Sequence, residues 1–172
     1  PSALTAPDDA LRAAAATLRA AGTEPWDLAA RINAHVYGLM EYAGGATGVR
    51  TRATEAFALR RGVCQDYAHI MLALCRLCDL PARYVSGHLL GEGGTHAWVE
   101  VLLPGPRRDG ALVAQPFDPT HGCRPGLNYI TIATGRDYGD VAPTSGTFRA
   151  PFAGQLSTRK RAGVTAVEYF AG

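Results

Sequence analysis

The spacing of the apolar residues changes at Pro81, and this change constrains the fold more than any other feature of the sequence. Residues 64–80 contain no helix breaker, and their apolar side chains recur every three or four positions, which predicts a helix with one broad buried face. Residues 82–90, 96–103 and 111–118 each have the composition of a short strand, and turn-rich stretches separate them. Helices followed by a run of strands predict an α+β domain with an antiparallel sheet.

Further elements are predicted on both sides of this change. Helices are predicted over 8–21, from about Pro25 to Tyr42 and around 54–62, and strands over 129–133 and 163–170. The 172 residues suit one domain, 1–172, with the N-terminal helices in 1–46 and the core in 47–172.

The composition is that of a folded protein with little net charge. Hydrophobic residues make up 47% and charged residues 19%, and the formal net charge of +2 gives no reason to expect nucleic acid or a charged membrane surface as a partner. The basic cluster 159–161 is interpreted as a solvated turn or strand end. No apolar run approaches the roughly 18 to 20 residues needed to cross a bilayer, and no signal peptide is visible. Four cysteines are too few for a disulfide scaffold, so we expect a reducing, cytoplasmic setting, and the richness in Ala, Arg and Gly is typical of a GC-rich bacterial genome.

Cys64 stands where the long helix is predicted to begin. The free N–H groups and the positive end of the helix dipole favour a thiolate at such a position, and the same N–H groups can hold the oxyanion that forms when a thiolate attacks a carbonyl. Gly62, just upstream, allows a ligand or another backbone segment to come close. A nucleophilic cysteine is therefore one interpretation, and a small buried hydrophobic residue is the other.

His96 and Asp118 are placed to serve such a nucleophile. His96 lies where a glycine-rich loop enters one predicted strand, and Asp118 lies at the end of the next. If these strands pair, the imidazole can take the thiol proton, and the carboxylate can orient the imidazole and stabilise its charged form. Taken singly, His96 could be structural, and Asp118 could form an Asx turn before Pro119. The presence of all three groups in this order favours a Cys-His-Asp triad.

The segments GVCQDYAHIMLALCR, PARYVSGHL, THAWVEV and FDPT resemble, in this order, the transglutaminase-like superfamily, which contains transglutaminases, bacterial cysteine proteases and peptide N-glycanases. The resemblance extends from about Thr51 to about Pro143. It implies a papain-like fold, in which a helix carries the cysteine and packs on an antiparallel sheet that supplies the other two residues. It also implies that the superfamily's cysteine, histidine and aspartate are Cys64, His96 and Asp118.

The resemblance further implies an enzyme that acts on an amide-type carbonyl through an acyl-enzyme intermediate. We expect a peptide or protein substrate, no cofactor and no metal, and no motif indicates an oligomeric state. Hydrolysis by a protease or amidase is favoured over crosslinking, because crosslinking requires the acyl-enzyme to prefer an amine to water and nothing in the sequence reports that preference. Protein-glutamine transglutaminase activity and a non-catalytic peptide-binding module on the same fold remain alternatives.

Several other residues are candidates for the site. Gln65 could contribute its side chain or its N–H to an oxyanion hole, and Trp98 is predicted in the core or in the cleft wall. His121 and His88 are possible pocket residues, and many relatives carry asparagine where this chain has His121. His69 lies farther along the helix that begins at the cysteine and is expected to be structural.

Cys75 and Cys78 allow a metal site as an alternative. With Cys123 and a histidine they could bind zinc. They lie in the middle of the predicted helix, however, about 16 to 21 Å along its axis from Cys64 at 1.5 Å per residue. Their positions on the buried stripe favour two core cysteines.

Overall fold

The computed structural model describes residues 2–92, 94–106 and 110–142, together with the single positions 149, 151, 154 and 166. The predicted tail strand, apart from position 166, and the basic cluster 159–161 lie outside the described residues. The described part combines helices with an antiparallel sheet, so the predicted α+β class is confirmed.

Five α-helices lie in the described part of the chain: α1 (Asp9–Ala20), α2 (Pro25–Leu39), α3 (Ala53–Leu59), α4 (Cys64–Leu77) and α5 (Tyr138–Val141). The carboxylate of Asp8 accepts a hydrogen bond from the Leu11 N–H at 2.9 Å, which caps α1 as the sequence predicts. None of the described helices is long and apolar enough to span a bilayer.

The second helix ends three residues earlier than predicted. It stops at Leu39 because β1 (Glu41–Tyr42) leaves it to pair in parallel with β2 (Arg61–Gly62). The backbone N–H of Glu41 donates to the Arg60 carbonyl at 2.9 Å. This short pairing fixes the segment just before α4 and brings Tyr42 to the start of that helix.

Four strands form the main sheet: β3 (Ala82–Leu89), β4 (His96–Pro104), β5 (Leu112–Phe117) and β6 (Tyr129–Gly135). Their order is β5-β4-β3-β6, and all neighbours are antiparallel. Alternate residues of β4 point into the helical core. The buried set on that face is Ala97, Val99, Val101 and Leu103.

The helix α4 is buried on all sides rather than on the single face that the periodicity predicted. Every residue from Gln65 to Cys75 is buried. The helix contacts β3 and β4 on one side and α1, α2 and α3 on the others, which accounts for the complete burial. It ends at Leu77, before the predicted end at residue 80, because Asp79 adopts a left-handed conformation (φ 59°).

Candidate active site

The first residue of α4 is Cys64, and it is only partly buried. The side chain of Asp66, in the first turn, accepts hydrogen bonds from the Val63 N–H at 2.8 Å and from the Thr47 hydroxyl at 2.6 Å. The N–H groups of Cys64 and Gln65 precede the first intrahelical hydrogen bonds, as in any α-helix. The thiol therefore lies at a helix end whose position is fixed by a carboxylate cap.

Gly62 is required by this cap. A Cβ atom at this position would lie 2.5 Å from Oδ2 of Asp66, far inside van der Waals contact. The sequence suggested that the glycine makes room for a ligand or another backbone segment. The structure shows that it makes room for the Asp66 side chain that begins α4.

The register of the sheet brings His96 and Asp118 together. His96 is the first residue of β4, and Val99 pairs with Phe117 at the end of β5. Continuing this register by one residue sets Asp118 opposite Trp98, on the face that also carries His96. Nε2 of His96 lies 2.7 Å from Oδ2 of Asp118, and both side chains are buried.

The Asp118 carboxylate is held by hydrogen bonds from several directions. Oδ2 accepts from Nε2 of His96 and Nδ1 of His121, each at 2.7 Å, and from the Tyr129 hydroxyl at 2.8 Å. Oδ1 accepts from the Thr120 N–H at 2.8 Å and from the His121 N–H at 3.3 Å. A buried carboxylate with this many donors is stable in its charged form, and its position does not depend on His96 alone.

A tight turn after β5 supplies most of these donors. The backbone groups of Asp118 and Cys123 exchange hydrogen bonds of 2.9 and 3.2 Å, which closes the turn. Gly122 has a φ of 65°, and a Cβ at this position would lie 2.8 Å from the Tyr37 ring. The aspartate, its backbone donors and His121 thus form one compact unit.

The hydrogen bonds shift the pKa values of the two central groups. Burial, the largest single influence on His96, lowers its pKa, but the hydrogen bonds and charges of Asp118 and Cys64 outweigh it and raise the pKa to about 10. Burial likewise would raise the pKa of Asp118, and the hydrogen bonds from His96, His121 and Tyr129 instead hold it well below its usual range. At neutral pH these influences keep His96 in its charged form, which is the form that pairs with a thiolate.

The ring nitrogens of His96 are divided between its two partners. Because Nε2 is bonded to Asp118, Nδ1 remains for a second partner, and the nearby thiol of Cys64 contributes to the raised pKa of the ring. Trp98 is buried and packs against His96, with ring centroids 6.1 Å apart, and Tyr129 packs edge-on against Trp98 at 5.4 Å. The imidazole is therefore oriented by packing as well as by the carboxylate.

A cavity of about 380 Å³ opens in front of His96. The residues that line it are Tyr42, Glu92, His96, Thr120 and His121. The Glu92 carboxylate lies 3.3 Å from Nε2 of His121 and 3.9 Å from Nδ1 of His96. The cleft therefore exposes the His96 imidazole and the Glu92 carboxylate to a bound ligand.

A family model of the transglutaminase-like superfamily matches residues 12–110 of the chain. The chain belongs to this superfamily. The matched range contains Cys64 and His96 and ends before Asp118.

Curated relatives of this transglutaminase-like chain occur in mycobacteria. An uncharacterized protein of Mycobacterium leprae is 37% identical over 119 residues, which are 63% of this chain and 40% of the relative. An uncharacterized protein of Mycobacterium tuberculosis is 37% identical over 131 residues, which are 70% of this chain and 40% of the relative. The chain thus spans about 40% of the length of these relatives.

Two solved structures share the transglutaminase-like fold of the chain. A candidate cysteine protease from Cytophaga hutchinsonii is 31% identical, with a TM-score of 0.66, over 83% of this chain and 47% of its own. The periplasmic domain of TgpA from Pseudomonas aeruginosa is 28% identical, with a TM-score of 0.50, over 69% of this chain and 47% of its own. These similarities place the chain in a family of thiol enzymes.

The remaining residues predicted for the transglutaminase-like site lie in different places. His121 lines the cavity, and Trp98 lies behind His96 in the protein interior. The buried side chain of Gln65 donates to the Gly48 carbonyl at 3.5 Å, away from the cavity lining, so a role in an oxyanion hole falls to its N–H. His88 bonds to the Gly94 carbonyl and lies in a different depression of the surface.

His69 lies in the core, where the sequence expected a structural residue. Its Nε2 accepts a hydrogen bond from the Tyr138 N–H at 3.1 Å, which ties α4 to α5. Its ring also packs against Tyr84, with centroids 5.4 Å apart. This histidine therefore links the helix that carries Cys64 to the segment after β6.

Cys75 and Cys78 are also core residues in the structure. Both are buried, and burial raises the pKa of each thiol. Among the described residues, the one group of three potential metal ligands within 4.8 Å of one another is His96, Asp118 and His121. Nε2 of His96 and Nδ1 of His121 both donate to Oδ2 of Asp118, so these three atoms form hydrogen bonds with one another without an ion.

Sequence reasoning missed three residues of this site. Glu92 lies in the turn before His96 and has no periodicity to mark it, and Tyr42 was assigned to the end of a helix. Tyr129 was predicted only as the start of a strand, yet its hydroxyl reaches Asp118. The one signal in the sequence was the position of Glu92, a polar turn residue four positions before His96.

Proposed function

We propose that this chain is a thiol-dependent enzyme that hydrolyses amide bonds of peptides or proteins, with Cys64, His96 and Asp118 as its catalytic triad. The observation that carries the proposal is the 2.7 Å hydrogen bond between the buried Asp118 carboxylate and the His96 ring, whose pKa is raised further by the thiol at the start of α4. The likeness to a candidate cysteine protease supports hydrolysis over crosslinking.

The first half of the reaction forms an acyl-enzyme. The Cys64 thiolate attacks the amide carbon, a C–S bond forms, and the N–H groups at the start of α4 hold the oxyanion. His96 then donates its Nδ1 proton to the amide nitrogen, the C–N bond breaks, and the amine leaves. Asp118 stabilises the imidazolium before this step and orients the neutral ring after it.

The second half releases the acyl group. His96, now neutral, takes a proton from water, and the hydroxide oxygen attacks the thioester carbon. The C–S bond breaks, a carboxylic acid leaves, and the proton on His96 restores the imidazolium beside the thiolate. An amine in place of water would give a new amide by the same steps, which is the transglutaminase alternative.

Intact-mass spectrometry tests the proposal. The protein is mixed with a panel of peptide amides, with and without an added primary amine, and acid-quenched after short times. We expect a transient acyl mass on Cys64 and a free carboxylic acid as the main product. The adduct should be absent in Cys64→Ala and unchanged in Cys123→Ser, which removes the exposed cysteine instead.

Two results would count against the proposal. An adduct that survives in Cys64→Ala would assign the chemistry to another group. A product that is mostly the new amide at millimolar amine would replace hydrolysis with transfer. If no peptide gives an adduct or product, the binding-module alternative gains, and peptide affinity measured with Cys64→Ala would decide it.

A further inference from the structure

Glu92 stands at the mouth of the cavity, in the turn between β3 and β4. Its side chain is 48% exposed, and its oxygens lie 3.3 Å from Nε2 of His121 and 3.9 Å from Nδ1 of His96. Within the described residues, no arginine or lysine lies within ion-pair distance of it. The carboxylate is therefore held over the cavity by rings that line it, with one face open to solvent.

The charges around the cavity are predominantly negative. The imidazolium of His96 balances the charge of the Asp118 carboxylate, to which its Nε2 is bonded. Glu92 then adds an unbalanced negative charge at the entrance of the cavity. A positively charged ligand group therefore binds more favourably in this cavity than a neutral or negative one.

Tyr42 adds an aromatic wall to the same cavity. It is 61% exposed and is brought there by the pairing of β1 with β2. Burial raises the pKa of its hydroxyl, and the charges of Cys64 and Glu92 raise it further. A carboxylate and an exposed aromatic ring on the walls of one cavity are the two groups that most commonly bind an organic cation.

We propose that Glu92 and Tyr42 bind a positively charged side chain of the substrate, lysine or arginine, next to the amide that Cys64 attacks. The cavity of about 380 Å³ has room for such a side chain. This inference rests on the proposed function, because it names the substrate class of the same site. It makes Glu92 a specificity-determining residue, with no part in the transfer of protons.

Charge-matched thiol reagents test the inference without a known substrate. Methanethiosulfonates form a disulfide with a thiol and release methanesulfinate, and their 3,3-dimethylbutyl and trimethylammonioethyl forms have the same shape and differ in charge. The rate of modification of Cys64 is measured for both by mass spectrometry at low ionic strength. The ratio of the two rates cancels any change in the reactivity of the thiol itself.

We expect the ratio of cationic to neutral rates at Cys64 to fall about five- to tenfold in Glu92→Gln, as for one unit charge a few ångströms away near the protein surface. Added salt should reduce the ratio in the wild-type protein. Glu100→Gln is the matched control, because Glu100 pairs with Arg83 on the sheet at 2.6 Å and does not line the cavity. Its ratio should equal that of the wild type.

An unchanged ratio in Glu92→Gln would overturn the inference, as would an equal fall in Glu100→Gln. Failure of the proposed function would give a different result. Cys64 would then react with the neutral reagent no faster than Cys123, whatever the ratio of cationic to neutral rates. When a peptide substrate is found, kcat/KM for a lysine peptide relative to its norleucine analogue should fall by the same five- to tenfold in Glu92→Gln.

Discussion

Nε2 of His96 lies 2.7 Å from Oδ2 of Asp118, in the protein interior. This contact assigns one ring nitrogen to the carboxylate and leaves the other, Nδ1, for a second partner. It also means that the two side chains act as a unit, so their substitutions cannot have independent effects on the rate.

The relative cost of losing each member follows from this arrangement. Cys64→Ala should abolish turnover, and Cys64→Ser nearly so, because a hydroxyl ionises far less readily than a thiol. His96→Ala should be almost as severe. Asp118→Asn keeps the shape but loses the charge, and we expect a loss on the order of 10 to 10³-fold, below the roughly 10⁴-fold of a serine triad.

The double variant His96→Ala/Asp118→Asn gives the sharper measurement. It should be no slower than His96→Ala alone, because the carboxylate acts through the imidazole. Turnover of a substrate from the adduct screen is measured for each variant that remains folded. Additive losses, or full activity in Asp118→Asn, would show that the aspartate serves the turn 118–123 and not the reaction.

Thiol labelling should single out Cys64. With limiting iodoacetamide near pH 6.5, we expect modification of Cys64 well before the exposed Cys123, because only Cys64 has a charged imidazole and a helix N-terminus beside it. Cys75 and Cys78 are buried and should react last. Peptide mapping measures the order, and faster labelling of Cys123 would contradict it.

The Tyr129 hydroxyl should contribute to stability through Asp118. Tyr129→Phe keeps the ring that packs on Trp98 and removes a 2.8 Å hydrogen bond to a charged group. We expect the free energy of unfolding to fall by about 1 to 2 kcal/mol, measured in urea. Tyr37→Phe is the control, since that side chain is 52% exposed, and equal losses in both variants would remove the special role of the Asp118 contact.

His69 should make the stability depend on pH in a defined direction. Burial, opposed in part by the charge of Asp137, lowers its pKa to about 4 in the folded protein. The unfolded chain, with an ordinary pKa near 6.5, therefore binds more protons between about pH 4 and 6.5. Stability from this group is complete above pH 6.5 and is lost as the pH falls toward 4.

The expected loss is about 1 to 2 kcal/mol between pH 7 and 5. His69→Gln keeps an acceptor for the Tyr138 N–H but does not titrate, so its free energy of unfolding should fall less steeply over that range. Urea denaturation at several pH values gives both slopes. Parallel slopes would mean that the pKa of His69 does not change on folding.

The start of α4 at Cys64 and the succession of strands after Pro81 could be predicted, because both depend on local spacing of apolar residues and on turn residues. The pairing of β1 with β2 could not be predicted, since a two-residue strand has no periodicity. The complete burial of α4 was missed because His69 and Asp66 are polar, and their partners Tyr138 and Thr47 are distant in sequence.

The candidate site likewise combines residues that local sequence patterns indicate with residues that they do not. Cys64, His96 and Asp118 could be selected because each lies at the end of a predicted element and matches a motif of the superfamily. Glu92 and Tyr42 lie in a turn and in a minimal strand, and only the three-dimensional arrangement places them on one cavity. Their roles depend on contacts between distant segments, which single-sequence patterns do not encode.

The proposed site is divided between α4 and the ends of β4 and β5, so the proposed chemistry requires the folded chain. A nascent or partly unfolded chain carries the thiol before the sheet that holds its partners has formed, and such long-range contacts form late. In the proposed mechanism, Cys64 lacks its activating partners at that stage. The enhanced reactivity proposed for Cys64 would consequently report that the tertiary structure is complete.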